Sequence, residues 1–243
     1  MPSSGSDKTG RRSTGVASHR RGAFTLIELL TVTVIIIVLV ALGLGTTMSA
    51  TKRVRTLQCV SKMRDLGAAI LLFSNEHKEM PRSMHSAASA GVDSWTYAIA
   101  PYLGIGMPLS KTDWPGNFER YYRCPEDRNV SPIRWSYGLN VFFELNPEGD
   151  DYEGSPATWR RVQSVPKPSR TILLAEPRSV NFADHIMPHL WKSNAAALNA
   201  LDSKRHGTTS NYLFLDGHVE TLRVEAVFIK GTDLDLFNPA LAR

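Results

Sequence analysis

Apolar residues are unevenly spread along this chain. From Phe24 the text reads FTLIELLTVTVIIIVLVALGLG, a block broken by a single charge, Glu28. A helix rising about 1.5 Å per residue needs roughly that many residues to cross about 30 Å of hydrocarbon, so a membrane helix is predicted over residues 24–46. The block is too long and too β-branched for a secretory h-region, and no small-x-small cleavage site follows it. Beyond it the pattern narrows to one face. Cys59, Met63, Leu66, Ile70 and Phe73 recur at alternating spacings of four and three, while Lys52, Arg53, Lys62 and Arg64 fall largely elsewhere. Residues 47–80 should therefore continue the helix as an amphipathic segment, with Pro81 ending it.

The remainder alternates short apolar runs with turn formers. Residues 95–103 read as a short amphipathic helix. Residues 104–170 are rich in Pro, Gly, Asn and Asp and read as long loops, with strand candidates at 134–137 and 141–144. A clearer strand covers 171–175. The clearest hairpin joins 211–215 to 218–223 through Asp216-Gly217, a pair suited to a two-residue type I′ turn. The fold class predicted is α+β: a long N-terminal helix, its first half transmembrane, packed on a small antiparallel β-sheet in a domain over residues 81–243.

Charge changes the picture at one end only. Of the net +5, residues 1–23 carry +4, with Lys8, Arg11, Arg12, Arg20 and Arg21 against Asp7. Without that stretch the chain is close to neutral, which removes the basic-patch argument for nucleic acid. Residues 1–23 have no apolar periodicity and read as a basic leader. Positive charge ahead of the apolar block favours a cytoplasmic N-terminus and an exported C-terminal domain.

The run Arg21-Gly22-Ala23-Phe24-Thr25-Leu26-Ile27-Glu28-Leu29-Leu30 resembles the prepilin cleavage and methylation motif, with Ala23 where that family usually has Gly. The resemblance implies a cut between Ala23 and Phe24 by prepilin peptidase and N-methylation of Phe24. Glu28 would then stand fifth in the mature chain and pair with the Phe24 amine of a neighbouring copy. A buried carboxylate in an apolar helix costs about 2.5–3.5 kcal/mol on insertion scales, so pairing gives Glu28 a reason to be there. Further on, His206 is followed after nine residues by Asp216-Gly217, and Cys124-Pro125, Ser136-Tyr137-Gly138-Leu139-Asn140 and Leu174-Ala175-Glu176 accompany it. Together these resemble pilin-like proteins with an H-x9-DG processing-associated domain. The resemblance implies a membrane-anchored structural or assembly subunit of a type II secretion pseudopilus or type IV pilus-like system. It also implies a single-pass protein of the inner membrane with its C-terminal domain periplasmic or extracellular. Its partners would be prepilin peptidase, other pilin-like subunits and inner-membrane assembly proteins.

Candidate chemistry adds little. His206, Asp216 and His218 could be metal ligands, but Asp216 stands where a turn needs Asp, and a structural role explains all three. Cys59 and Cys124 could form one bridge between helix and domain, or Cys59 could be a plain buried thiol. Glu148, Asp150, Asp151 and Glu153 read as a solvated acidic loop rather than a Ca²⁺ site. No nucleophile elbow, phosphate loop, dinucleotide fingerprint or zincin motif is present, so neither enzyme nor cofactor is expected. Two other readings stay open. A pilin-anchored binding module for a polysaccharide or protein partner could use Trp114, Trp159 and Trp191, and a metal-dependent hydrolase could be built on His206 and Asp216.

Overall fold

The structure is a computed structural model describing residues 24–107, 114–128, 135–145, 159–178 and 184–242, the side chains of 43–49 and 114 excepted. The chain divides into two compact units, Met1–Met48 and Ser49–Arg243. Helix α1 (Leu26–His77) begins in the first and ends in the second. Its start is set by Thr25 and Glu28. Thr25 donates to Glu28 Oε2 from its backbone N at 2.9 Å and from Oγ1 at 2.8 Å, while the Glu28 amide lies 3.3 Å from Thr25 Oγ1. This reciprocal arrangement is a capping box, written in the sequence as T-x-x-E. Thr31 and Thr33 turn their hydroxyls back onto the helix carbonyls of Glu28 and Leu30, so neither offers a free donor outward.

Three features of the expected fold are corrected. Among the described residues no helix is long and apolar enough to cross a membrane. The first run of described apolar side chains in α1 covers Leu26 to Leu42, and these 17 residues rise only about 26 Å. Nor does one long rod pack on the sheet, since only the part of α1 from Ser49 onward belongs to the unit that holds it. Finally, the sheet is mixed rather than antiparallel.

The second unit is built around that sheet. After α1 come α2 (Met84–Ala90), α3 (Trp95–Ala98) and α4 (Trp114–Asn117), the last continuing into a π turn, Phe118–Tyr122. Strands β1 (Gly138–Asn140), β2 (Ile172–Ala175), β3 (His185–Ile186), β4 (Ser210–Phe214) and β5 (Val219–Leu222) lie in the order β3-β1-β2-β4-β5, and α5 (Asn194–Ala200) falls between β3 and β4 in the chain. All neighbours are antiparallel except β1 and β3. Glycine at 138 permits that parallel pairing, because a Cβ there would stand 3.2 Å from the His185 carbonyl carbon.

Local differences have local causes. The strand expected at 141–144 is instead a 3-10 turn, Val141–Phe143, started by the Asn140 side chain accepting from the Phe142 amide. The candidate at 134–137 precedes β1, and Arg134 lies outside the described residues. The segment 95–103 splits into α3 and a 3-10 turn, Ala100–Leu103, because Pro101 cannot continue an α-helical ladder. Helix α1 stops before Pro81, at Lys78, which adopts φ 65.

Both faces of the sheet are buried. On one, Leu173, Leu174, Leu213 and Leu215 pack with Cys59, Met63, Leu66 and Ile70 of α1 and with Trp95, Tyr122 and Tyr137. On the other, Ile172, Ala175, Tyr212 and Phe214 pack with Trp191, Leu201, Phe228 and Phe237. A register shift between Ile172 and Leu174 explains why adjacent Leu173 and Leu174 serve the same core. Helix and sheet approach closely at Gly67, where a Cβ would meet Leu213 at 2.8 Å.

Candidate functional site

The sequence points to two regions, the start of α1 and the H-x9-DG segment. In the first, Phe24 is 84% exposed, and the large apolar side chains from Leu26 to Leu42 are exposed along α1. Ala23 and the proposed cut lie outside the described residues. Glu28, expected to face a neighbouring copy, is engaged within its own chain by Thr25.

In the second region the two ends of the motif do different jobs. His206 is held by a turn in which its amide donates to the Thr209 carbonyl and the Thr209 hydroxyl donates to its own carbonyl. Its imidazole is almost wholly buried. Nε2 lies 2.9 Å from Glu176 Oε1 and 3.8 Å from Cys124 Sγ, while Nδ1 lies 3.2 Å from Thr56 Oγ1 on α1. Glu176, fully buried at the end of β2, accepts at Oε2 from Ser210 Oγ (3.0 Å) and from the Asn211 amide (2.9 Å). Thr56 donates its own hydroxyl proton to the Lys52 carbonyl, so it braces the helix rather than serving as a nucleophile.

Arg205, one residue before, completes the cluster. Its guanidinium donates to the carbonyls of Ser136 (2.6 Å) and Pro177 (2.8 Å) and to Asp202 (3.0 Å), and lies 3.5 Å from Asp127 and 3.8 Å from Glu176. Burial alone would pull its pKa down, but these carboxylates outweigh burial and hold it above the ordinary value. Ser136 in turn donates to Asp127. The fragments Cys124-Pro125, Ser136-Tyr137, Ala175-Glu176 and Arg205-His206, far apart in sequence, thus converge on one buried polar knot.

Asp216 and Gly217 lie at the hairpin tip. Phe214 accepts from the Gly217 amide and donates to the His218 carbonyl, which makes a three-residue loop, Leu215 to Gly217. Only Gly217 has positive φ, 94°, so the two-residue type I′ turn is corrected to a type I turn closed by glycine. Asp216 Oδ1 accepts from the His218 amide at 3.1 Å and faces its Nδ1 at 2.5 Å, and the His218 ring stacks on Phe214. The motif's His and Asp share no partner in these contacts: His206 anchors the knot while Asp216 shapes a turn.

Cys59 and Cys124 are joined by a disulfide that ties α1 to the segment after the π turn. Lys62, one turn along, adds a polar tie by donating to the carbonyls of Glu119 (2.7 Å) and Arg123 (2.8 Å), and burial holds its pKa below the usual lysine value. Besides the bridged sulfurs, Glu176 and His206 bring ligand atoms to the same point, all four within 4.8 Å of one another. Glu148, Asp150, Asp151 and Glu153 lie outside the described residues. Of the aromatics considered for recognition, Trp191 is buried in the second core and Trp159 packs against the first.

Glu176, Arg205, Thr56 and Asp127 were not singled out as site residues by the sequence reasoning. The available signal was a carboxylate placed directly behind the apolar run ILLA, and a cation beside the motif histidine. No protein-family model, curated protein or solved structure matches the chain.

Proposed function

We propose that this chain is a pilin-like structural subunit, held at the cytoplasmic membrane before assembly. Prepilin peptidase removes its leader, and the mature chain joins similar subunits through the start of α1 in a type II secretion pseudopilus or type IV pilus-like system. The observation that carries the reading is the run of exposed apolar side chains from Phe24 to Leu42, which among the described residues has no core of its own, unlike the second unit. Such a surface needs a cover, and a second copy supplies one of matching chemistry. The disulfide supports an oxidising, extracytoplasmic compartment for the second unit. This placement rests on the basic leader and the bridge, not on a spanning helix.

The capping box adds a structural duty for Glu28. Its carboxylate starts α1 in the free subunit through Oε2, and pairing with a neighbour's Phe24 amine would use the same carboxylate at the same helix end. We assign no catalytic activity. The binding-module reading is weakened by the burial of Trp191 and the packing of Trp159. Cross-linking in cells that make the full chain and its peptidase tests the proposal. Cysteine pairs placed between residues 30 and 42 should link copies in the wild type and fail to do so in Glu28→Ala. Absence of linked copies in the wild type contradicts it.

A further inference from the structure

The two bridged sulfurs belong to a set of four metal-capable side chains that meet at one point. Cys59 comes from α1, Cys124 from the segment after the π turn, Glu176 from the end of β2, and His206 from the turn before β4. All four side chains are buried. Two sulfurs, an imidazole nitrogen and a carboxylate oxygen match in number and type the donors of a tetrahedral zinc site. Thiolate donors select against Ca²⁺ and Mg²⁺, which take oxygen.

We propose that Cys59, Cys124, Glu176 and His206 form a redox-gated site for a zinc-class divalent cation, closed while the cysteines are bridged and open when they are reduced. The proposal is independent of the pilin-like reading. Opening requires a two-electron reductant of the disulfide, such as a dithiol. Exchange moves the disulfide onto the reductant, whose thiols supply the two electrons and two protons that leave Cys59 and Cys124 as thiols. The cation then displaces both thiol protons to solvent. Closing reverses this: a small-molecule disulfide accepts the two electrons, takes up two protons to become two thiols, and the S–S bond reforms as the cation leaves.

The surroundings favour the open state as a real site. The Oε2 of Glu176 is already occupied by Ser210 and Asn211, which leaves Oε1 directed at the cluster. With Nε2 as the ligand atom, His206 Nδ1–H donates to Thr56 Oγ1, whose hydroxyl passes on to the Lys52 carbonyl, and this relay fixes the ring. Two thiolates and a carboxylate with a dication leave one net negative charge, and Arg205 lies 3.8 Å from Glu176 Oε1 to oppose it. In the bridged state a covalent bond ties the Cys59 and Cys124 segments while Glu176 and His206 stay hydrogen-bonded beside it; in the open state one cation would tie all four.

The test uses the full-length protein in detergent, reduced with a phosphine and desalted without oxygen. Zn²⁺ should raise the Tm of the reduced protein and leave the bridged protein unchanged, because a ligand that binds only the folded state stabilises it. Zn²⁺ should bind one per chain and slow alkylation of both thiols at least tenfold, and Co²⁺ should give a thiolate charge-transfer band. His206→Ala and Glu176→Gln should each weaken Zn²⁺ by tenfold or more, and Thr56→Val by about tenfold. Equal Tm shifts in reduced and bridged protein, no shift in either, or thiols alkylated equally fast with and without Zn²⁺ would overturn the proposal. Because these readouts compare two states of the wild type, poor folding of a variant does not blunt them.

Discussion

The two units of this protein solve the problem of apolar surface in opposite ways. In Ser49–Arg243 the large apolar side chains on both faces of the sheet are covered, and one buried polar cluster is tied together by Arg205. In Phe24–Leu42 the apolar side chains face outward, while the helix start and the Thr31 and Thr33 hydroxyls are satisfied within the helix. The second unit has its own buried core, while the described apolar side chains of the first stand exposed and, on the proposed reading, are covered by a neighbouring copy. Substitutions in the two should therefore separate folding from assembly.

The largest effect on folding is expected at Arg205. Arg205→Ala leaves Glu176, Asp127 and Asp202 without their shared cation, and removing one partner of a buried ion network costs about 3–5 kcal/mol. Denaturant unfolding followed by tryptophan fluorescence would read this as a fall in midpoint. A wild-type midpoint would mean that the knot adds no stability to the second unit. The bridge comes close behind. Cys59→Ser with Cys124→Ser opens a loop with a sequence separation of 65, about 4 kcal/mol in the chain-entropy model. Measured without metal, the loss should appear in unfolding of the second unit and leave cross-linking through residues 30–42 intact wherever that unit still folds.

Smaller effects sharpen the division within the H-x9-DG segment. Gly217→Ala must hold φ 94 with a Cβ, at a cost of about 1 kcal/mol, although its nearest neighbour, Leu71, leaves room at 3.9 Å. Because Asp216 and Gly217 shape only the hairpin tip, this variant should keep the disulfide and the His206 contacts, seen as unchanged thiol reactivity.

Smallest is a pH effect at Glu144. Burial raises its pKa more than its bonds from Ser83 lower it. A carboxyl raised in the folded state binds its proton more tightly there than when unfolded. Its contribution to stability is therefore complete below the ordinary carboxylate pKa and is lost as pH rises through the raised one. Glu144→Gln should flatten that part of the stability profile. An unchanged slope would show that the burial at Glu144 is offset fully by Ser83.

Some of this was legible in the residues alone. The spacing of Cys59, Met63, Leu66 and Ile70 marks a helix face because burial on one side of a 3.6-residue repeat leaves that trace, and those four side chains are fully buried. The strand at Ile172–Ala175 was legible as a short apolar run, and the hairpin as two short runs joined by Asp216-Gly217. The mixed sheet was not, because β3 is only two residues long and its pairing depends on the missing Cβ of Gly138. Nor was the polar knot, since hydrogen bonds spanning 30 to 82 residues leave no periodicity behind. The capping box at Thr25 is written in the sequence as T-x-x-E, where Glu28 also reads as a lone charge in an apolar block.

The most direct measurement of the central claim is the intact mass of the mature protein from cells that carry prepilin peptidase. The expected chain has lost residues 1–23 and begins at Phe24 with one added methyl group. A mature chain that still carries residues 1–23 would contradict it.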